Sequence, residues 1–148
     1  LWLEWWWTTP AGSPEQLRVN LDPTAPDFFD YTTAAWYTAA ERRRSGGTAT
    51  GPYVDYFCTG EYTITLSVPV RLDGRFLGVA AADVLVSNLE GQVLPALLEA
   101  GRPVALTSPE GRVIAATTAD LVPGARVPAS GARLMPSVPG RWRLAEIT

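Results

Sequence analysis

The sequence contains no histidine and no lysine, and its one cysteine is Cys58. Without histidine, catalysis by Ser-His-Asp or Cys-His groups and histidine-ligated zinc are excluded. The absence of lysine excludes Schiff-base chemistry and the P-loop lysine. A single cysteine can form neither an internal disulfide nor a cysteine-cluster metal site. Any catalysis by this chain would therefore have to depend on carboxylates.

The length and charge of the chain limit its architecture and its partners. Its 148 residues, 47% hydrophobic and 18% charged, suit one folded domain. No apolar run approaches the roughly 20 residues that a membrane-spanning helix needs. The formal net charge of −3 disfavours a nucleic-acid-binding surface, so we expect no nucleic acid among the partners. Because the chain begins at Leu1 without methionine, we expect a fragment of a longer protein.

Aromatic residues are concentrated in the first half of the sequence. Of the 15 aromatic residues, all but Trp142 lie at or before position 76. This asymmetry indicates either a bulky core on one side or a site lined by aromatic rings. Residues 1–9 predict a β-strand with Trp5 and Trp7 on one face and Trp6 on the other. These tryptophans either pack in the core or form an exposed surface.

The clearest β signal is a hairpin around Asp73-Gly74. Apolar residues alternate with Thr, Ser and Pro over 62–70, and a returning strand is predicted over 75–85. Asp-Gly favours a type I′ turn, since both central residues need positive φ. Pro69 cannot donate a hydrogen bond to the ladder, so it predicts a sheet edge or a bulge.

The segments before this hairpin predict one strand and one helix. Residues 17–21 alternate apolar and polar, as a half-buried strand does. A helix is predicted from Asp27 to the arginine run at 42–44, because acidic residues come first and basic residues last.

The second half predicts a helix followed by short strands. Ser87 and Glu90 have the spacing of a capping box, Gly101 predicts the helix end, and Pro95 predicts a kink between them. Antiparallel hairpins with helices to one side predict an α+β fold. The remaining predictions are strands at 103–107, 112–117 and 141–147, and a stretch without periodicity at 118–140.

Asp83 is the chemically distinctive residue of the hairpin. It follows the small and apolar residues 78–82 in a strand predicted to be central. Strand parity places it on the face of Val79 and Ala81, where the small Ala81 leaves room for a ligand. A buried carboxylate without a partner is costly, so Asp83 is a candidate binding group. The alternative is that it ends the strand and points to water or caps a turn.

Three blocks of residues, over about residues 1–117, resemble the Cache family of small-molecule sensor domains. An aromatic segment carries Trp36-Tyr37, a Pro-Tyr-x-Asp block ends at Asp55, and a Gly-Val-x-x-x-Asp block ends at Asp83. The resemblance implies a PAS-like antiparallel sheet flanked by helices. It also implies a ligand pocket between the aromatic helix and the strands that carry the two later blocks.

Transferred to this sequence, the resemblance implies aromatic pocket walls and carboxylates that hold an ammonium group. Amino-acid-binding members also hold the ligand carboxylate with an arginine two residues before the tryptophan. That position is Ala34 here, and the family's upstream tyrosine is Phe29. A buried ligand carboxylate would lose a charge-assisted pair unless Arg42, Arg43 or Arg44 folds back. We therefore expect an amine or another small polar ligand. The implied ligand-binding residues are Phe29, Trp36, Tyr37, Tyr53, Asp55 and Asp83.

The sequence as a whole predicts a non-enzymatic, Cache-like sensing domain of a bacterial receptor or regulator. We expect one domain over 1–148, with its main core at about 1–117 and a Pro/Gly-rich part at 118–148. The expected partners are a small-molecule ligand and the output domain of the same longer chain, and a homodimer is compatible with this fold. We expect no cofactor and no metal site.

Two other hypotheses and two locations stay open at this point. A structural module could dock through the Trp-rich N-terminal strand, which requires Trp5 or Trp7 to be exposed. A carboxylate-based hydrolase is the other alternative. The resemblance implies the extracytoplasmic side of a membrane receptor, and a soluble cytoplasmic regulator is the alternative location.

Overall fold

The structure of the chain is a computed structural model that describes residues 1–9, 11–128, 130–135 and 141–148. Within these residues, nine strands form three antiparallel sheets, accompanied by two α-helices and one 3-10 helix. The predicted α+β class is confirmed. None of the helices in these ranges is long and apolar enough to cross a membrane. Positions 129 and 136–140 of the predicted aperiodic stretch lie outside the described residues.

The N-terminal sheet is a hairpin of β1 (Trp5–Thr8) and β2 (Pro14–Leu17). The chain reverses at Gly12, where φ is +83°, so β2 lies earlier than the strand predicted at 17–21. That prediction is wrong because the tight turn, rather than the apolar alternation, sets where pairing begins. Pro14 is tolerated at the first position of a strand that has one neighbour.

The faces of β1 follow the predicted alternation. Trp5 and Trp7 are half-buried, whereas Trp6 is 58% exposed. The exposure of Trp5 or Trp7 that a docking strand requires is therefore not present in the structure.

The helical segment that follows is shorter than predicted. A 3-10 helix (Tyr31–Thr33) precedes α1 (Ala35–Glu41). The Asp30 carboxylate caps the 3-10 helix by accepting a hydrogen bond of 3.0 Å from the Thr32 N–H. Ala34 then adopts an extended backbone (ψ 143°), which separates the two helices. The single helix predicted from Asp27 to the arginine run is therefore wrong.

The central sheet has the order β3-β4-β5, made of β3 (Thr48–Val54), β4 (Tyr62–Leu72) and β5 (Arg75–Leu85). The predicted hairpin of β4 and β5 is confirmed, and β3 is a strand that the alternation did not predict. Asp83 lies on an edge strand, which corrects the expectation of a central one.

The turn and the bulge set the register of this hairpin. Asp73 and Gly74 both have positive φ (51° and 79°), as the type I′ prediction requires. The pairing of β3 with β4 extends along β4 only as far as Ser67. Pro69 lies beyond this point and has no β3 partner, as a sheet edge at Pro69 predicts. A bulge next to it leaves Leu77 as the extra residue on β5 and shifts every later pair by one.

The burial of the two faces of β4 is the reverse of the usual pattern, because the polar face is buried and much of the apolar face is exposed. The face toward α1 carries hydroxyl groups with 1–2% exposure, while much of the aliphatic face is 43–44% exposed. The Ser67 hydroxyl donates a hydrogen bond of 3.0 Å to the backbone oxygen of Trp36, which attaches α1 to the sheet. The buried residues are Thr63, Thr65 and Ser67, and the exposed ones are Leu66, Val68 and Val70.

Helix α2 (Val86–Leu98) connects the central sheet to the third sheet. Its N-cap is Leu85, without a side-chain cap bond, so the capping box predicted at Ser87 is wrong because the helix has already begun there. The Gly101 N–H donates to the Leu98 oxygen at a φ of +62°, which confirms the predicted end. Pro95 lies within α2.

The third sheet has the order β7-β6-β9-β8. A buried cluster of Ile64, Val86 and Ile114 joins β4, α2 and this sheet into one core. The strands predicted at 103–107, 112–117 and 141–147 are confirmed, whereas β8 was not predicted. The four strands are β6 (Val104–Thr107), β7 (Val113–Ala116), β8 (Ala132–Leu134) and β9 (Arg143–Ile147).

We predict that Gly51→Ala destabilises the chain by about 1–3 kcal/mol. Gly51 has a φ of +128°, and a Cβ there would lie 2.7 Å from the Thr63 backbone oxygen. Gly78→Ala is the matched control, because Gly78 lies in the same sheet and a Cβ there would meet nothing within 4 Å. Urea unfolding of both variants checks this, and equal midpoints would contradict it.

Candidate functional site

A row of three hydrogen-bonded side chains lies across the central sheet on the face toward α1. Thr65 on β4 is paired in register with Asp83 on β5, and its hydroxyl donates a hydrogen bond of 2.6 Å to Asp83 Oδ1. The Tyr53 hydroxyl on β3 is hydrogen-bonded to the same Thr65 oxygen. Because the Thr65 hydrogen is directed to Asp83, Tyr53 is the donor to Thr65. The Tyr53 hydroxyl thus donates to Thr65, and Thr65 donates to the Asp83 carboxylate.

The Asp83 carboxyl group has a raised pKa. Partial burial raises this pKa above its ordinary value of 3.8. The hydrogen bond from Thr65 lowers the pKa, and the negative charge of Asp55 raises it. The Asp83 side chain is nevertheless exposed to solvent, so screening by water weakens these effects. The carboxylate is therefore both accessible to a ligand and poorly stabilised in its charged form.

The Asp55 carboxylate, in contrast, is buried, with 6% exposure. Its Oδ1 accepts hydrogen bonds from the Phe57 and Cys58 N–H groups at 3.1 and 3.3 Å, and its Oδ2 accepts one from the Thr59 N–H at 3.2 Å. Asp55 thus organises the loop that connects β3 to β4. Its negative charge still acts on neighbouring groups, since it contributes to the raised pKa of both Asp83 and Cys58.

Neither carboxylate has a cationic partner within the described part of the chain. The ion pairs found there both involve Glu146, on the third sheet. The Arg71 guanidinium lies 5.2 Å from the Phe76 ring centroid, but its N–H groups donate to the backbone oxygens of Glu41, Arg43 and Gly74. The candidate site therefore holds negative charge that these residues leave uncompensated.

The alternative in which an arginine after α1 folds back toward the site is not observed. Arg42, Arg43 and Arg44 are all exposed at the end of α1. They therefore do not replace the arginine that the resemblance leads one to expect at position 34, where this sequence has alanine.

The predicted aromatic residues divide into two clusters. Trp36 and Tyr37, at the start of α1, have ring centroids 5.8 Å apart, and Tyr37 also packs edge-on against Phe76 at 5.8 Å. Phe29 instead packs against Phe57 at 4.5 Å, beside the Asp55 loop. The structure thus places Trp36 and Tyr37 together and Phe29 in a separate cluster.

Burial raises the pKa of the Tyr53 hydroxyl, and the negative charges of Asp83 and Asp55 raise it further. The three residues therefore lie close together. Thr65, which connects Tyr53 to Asp83, was not among the predicted site residues. Thr65 is one of the polar residues that alternate with apolar ones in β4, and this polarity was a signal of a functional face. Its pairing with Asp83, however, depends on the bulge in β5.

The shape of the surface adds little to this assignment. Two open clefts beside α2 are lined by none of the six predicted ligand-binding residues. Within the described ranges, no group of three or more Cys, Asp or Glu residues is placed to hold a metal ion. The candidate site is therefore defined by its hydrogen bonds and its charge.

Comparison with known proteins places this fold among chemoreceptor sensor domains. Residues 16–91 match the family described as methyl-accepting chemotaxis protein-like, first PDC sensor domain. The chain is similar to the ligand-binding domain of the Pseudomonas fluorescens chemoreceptor CtaA, solved with L-valine. There the identity is 22%, the TM-score is 0.57, and the match covers 95% of this chain and 68% of that one.

Two further solved structures have the same fold. The ligand-binding domain of the Pseudomonas aeruginosa PAO1 amino acid chemoreceptor PctC, solved with GABA, is 24% identical with a TM-score of 0.55, covering 97% of this chain and 71% of that one. A structure described as methyl-accepting chemotaxis protein X is 18% identical with a TM-score of 0.64, covering 98% and 62%.

We predict that Asp83→Asn stabilises the ligand-free chain at pH 7. Because the folded-state pKa is raised, the folded chain binds the Asp83 proton more tightly than the unfolded chain. Stability is then lost as pH rises from 3.8 through the folded value. Asparagine keeps an acceptor for Thr65 without the charge.

The measurement is thermal unfolding of both chains between pH 3 and pH 8, with Asp120→Asn, an exposed site, as the control. The Asp83→Asn gain should be largest at neutral pH and should vanish near pH 3. A variant less stable than the parent at pH 7 would contradict the assignment.

Proposed function

We propose a ligand class for this chain, which belongs to the family of methyl-accepting chemotaxis protein-like first PDC sensor domains. The chain is a small-molecule sensor domain of a signalling protein. The proposal is that it binds an organic ammonium ion, or a comparably small polar molecule with an ammonium group, at Asp83.

The observation that carries this proposal is the charge of Asp83, which has no cationic partner among the described residues and lies near a second carboxylate, Asp55. In the described part of the chain, no arginine is paired with either carboxylate. A ligand ammonium group would supply the missing positive charge, and the Tyr53 ring, which is joined to Asp83 through Thr65, would offer it cation–π contact. Asp83 is the accessible carboxylate of the two, so it makes the direct contact.

The other predicted residues have separate roles in this proposal. Asp55 acts through its charge, since its oxygens already accept hydrogen bonds from the loop. Tyr53 acts through Thr65, which it orients toward Asp83. Trp36 and Tyr37 contribute ring surface from α1, and Phe29 contributes it beside the Asp55 loop.

The missing arginine sets this chain apart from receptors for ordinary α-amino acids. The CtaA domain is solved with L-valine and the PctC domain with GABA, and both ligands carry a carboxylate. Ala34 offers that carboxylate no cation, and Arg42 to Arg44 lie exposed. We therefore propose that amines without a carboxylate bind better than α-amino acids.

We further propose that residues 1–148 act as one non-catalytic sensing domain. It would bias an output domain of a longer chain by binding ligand more tightly in one of two conformations. A hydrolytic role is disfavoured, because the buried Asp55 carboxylate accepts hydrogen bonds from its loop and is not free to serve as the partner acid or base of Asp83.

We predict that n-butylammonium raises the melting temperature of the chain through Asp83. At a concentration 100-fold above its dissociation constant, it would stabilise the folded state by about 2.7 kcal/mol. Differential scanning fluorimetry of the parent chain, Asp83→Asn and Asp120→Asn checks this. The shift should be clearly smaller in Asp83→Asn than in the parent chain and should be retained in Asp120→Asn. An equal shift in all three chains, or a larger shift with butanoate, would refute the cationic site.

We predict that Ala34→Arg creates affinity for L-valine. Residue 34 is half-buried immediately before α1, so a guanidinium there can form a bidentate pair with a ligand carboxylate. The dissociation constant for L-valine should fall about tenfold or more, whereas that for n-butylammonium should not improve. Calorimetric titration of both ligands measures this, and an unchanged preference would show that residue 34 does not face the ligand.

A further inference from the structure

A groove distinct from the Asp83 site lies beside α2. It consists of two adjoining open clefts of about 320 and 250 Å³, which share Glu90 and Pro123. We call it the α2 groove. The first cleft is also lined by Leu94, Leu98, residues 116–119, Leu121 and Val122, and the second by Val54, Gly60, Glu61, Tyr62, Val86 and Ser87.

The charge of the α2 groove is negative and unpaired. Glu90, on α2, is half-buried and has no ion pair or side-chain hydrogen bond with the described residues. Glu61 adds a second carboxylate at the other end of the groove. Among the described residues that line the two clefts, none is basic. A half-buried carboxylate without a partner favours a cationic occupant.

A buried hydroxyl group gives a second, independent indication of a ligand. The Thr118 Oγ1 atom is enclosed and has no hydrogen-bond partner in the described structure, although Thr118 belongs to the lining of the first cleft. Buried polar atoms in folded proteins nearly always have a partner, so an unpaired one requires an explanation. Rotation of the Thr118 side chain toward the cleft would let a bound polar group supply that partner.

The walls of the groove determine which cation fits. Leu94 and Leu98 lie one helical turn apart on α2, and Val122 and Pro123 face them from the loop that follows β7. These side chains suit a short hydrocarbon chain, while Glu90 suits an ammonium group at its end. An occupant would touch both α2 and the loop, and Tyr62 of β4 packs on the same loop at Gly124.

We propose that the α2 groove is a second ligand site, which binds a primary alkylammonium ion. Glu90 pairs with the ammonium group, and the aliphatic walls of Leu94, Leu98 and Val122 cover the alkyl chain. This site contains neither Asp83 nor the α1 aromatic residues, so it is independent of the ligand class proposed for Asp83.

The test is calorimetric titration of n-pentylammonium into the Asp83→Asn chain, in which the first site is disabled. Saturable binding is expected, with pentan-1-ol and methylammonium each about tenfold weaker, because the first lacks the charge and the second lacks the alkyl chain. Adding Glu90→Gln should weaken n-pentylammonium about tenfold. Glu99→Gln, an exposed carboxylate beyond the end of α2, should not change it.

Two results would overturn the proposal. One is the absence of n-pentylammonium binding in the Asp83→Asn chain, which leaves the Asp83 site standing. The other is binding that Glu90→Gln does not weaken. If the Glu90→Gln chain fails to fold, the comparison of pentan-1-ol and methylammonium with n-pentylammonium decides, because equal affinities would exclude a groove that recognises charge and chain together.

Discussion

The β-bulge in the β4–β5 hairpin determines which face of the central sheet carries Asp83. Leu77 is the extra residue, and it moves every later pair by one position, so that Asp83 lies opposite Thr65. Without it, the turn at Asp73-Gly74 would pair Asp83 with Ile64, whose side chain lies in the core. The pairing of Thr65 with Asp83, their hydrogen bond and the face on which the carboxylate lies all depend on this one inserted residue.

The polar residues on that face reduce the folding stability of the sheet and provide the groups that would bind a ligand. Hydroxyl groups, rather than aliphatic chains, are buried against α1, and each needs a hydrogen-bond partner to offset the loss of water. Thr65 finds its partners in Tyr53 and Asp83, while Ser67 uses the start of α1. Asp83 alone keeps an uncompensated charge. A ligand cation would remove that cost, so binding energy and folding stability are coupled at this residue.

Local chemistry explains which parts of this structure were predictable. Three predictions that depend only on residues close in sequence are confirmed: the turn at Asp73-Gly74, the strand β4 with its alternation, and the end of α2 near Gly101. The strand at 17–21 and the cap at Ser87 failed because tertiary pairing moved the element boundaries. For the site, the resemblance to a sensor family suggested Asp83, but the role of Thr65 depends on a bulge that no local pattern reveals, although Pro69 indicated an irregularity.

The proposed ligand site depends on a carboxylate, Asp83, whose charge has no cationic partner among the described residues until a ligand binds. The most direct test is a ¹³C NMR titration of the Asp83 side-chain carboxyl group, with and without n-butylammonium, using Asp83→Asn to assign the signal. In the ligand-free chain we expect a pKa of Asp83 above 3.8, because partial burial and the negative charge of Asp55 both raise it. Bound ammonium should lower it toward or below the ordinary value. An ordinary pKa that does not respond to the ligand would contradict the account.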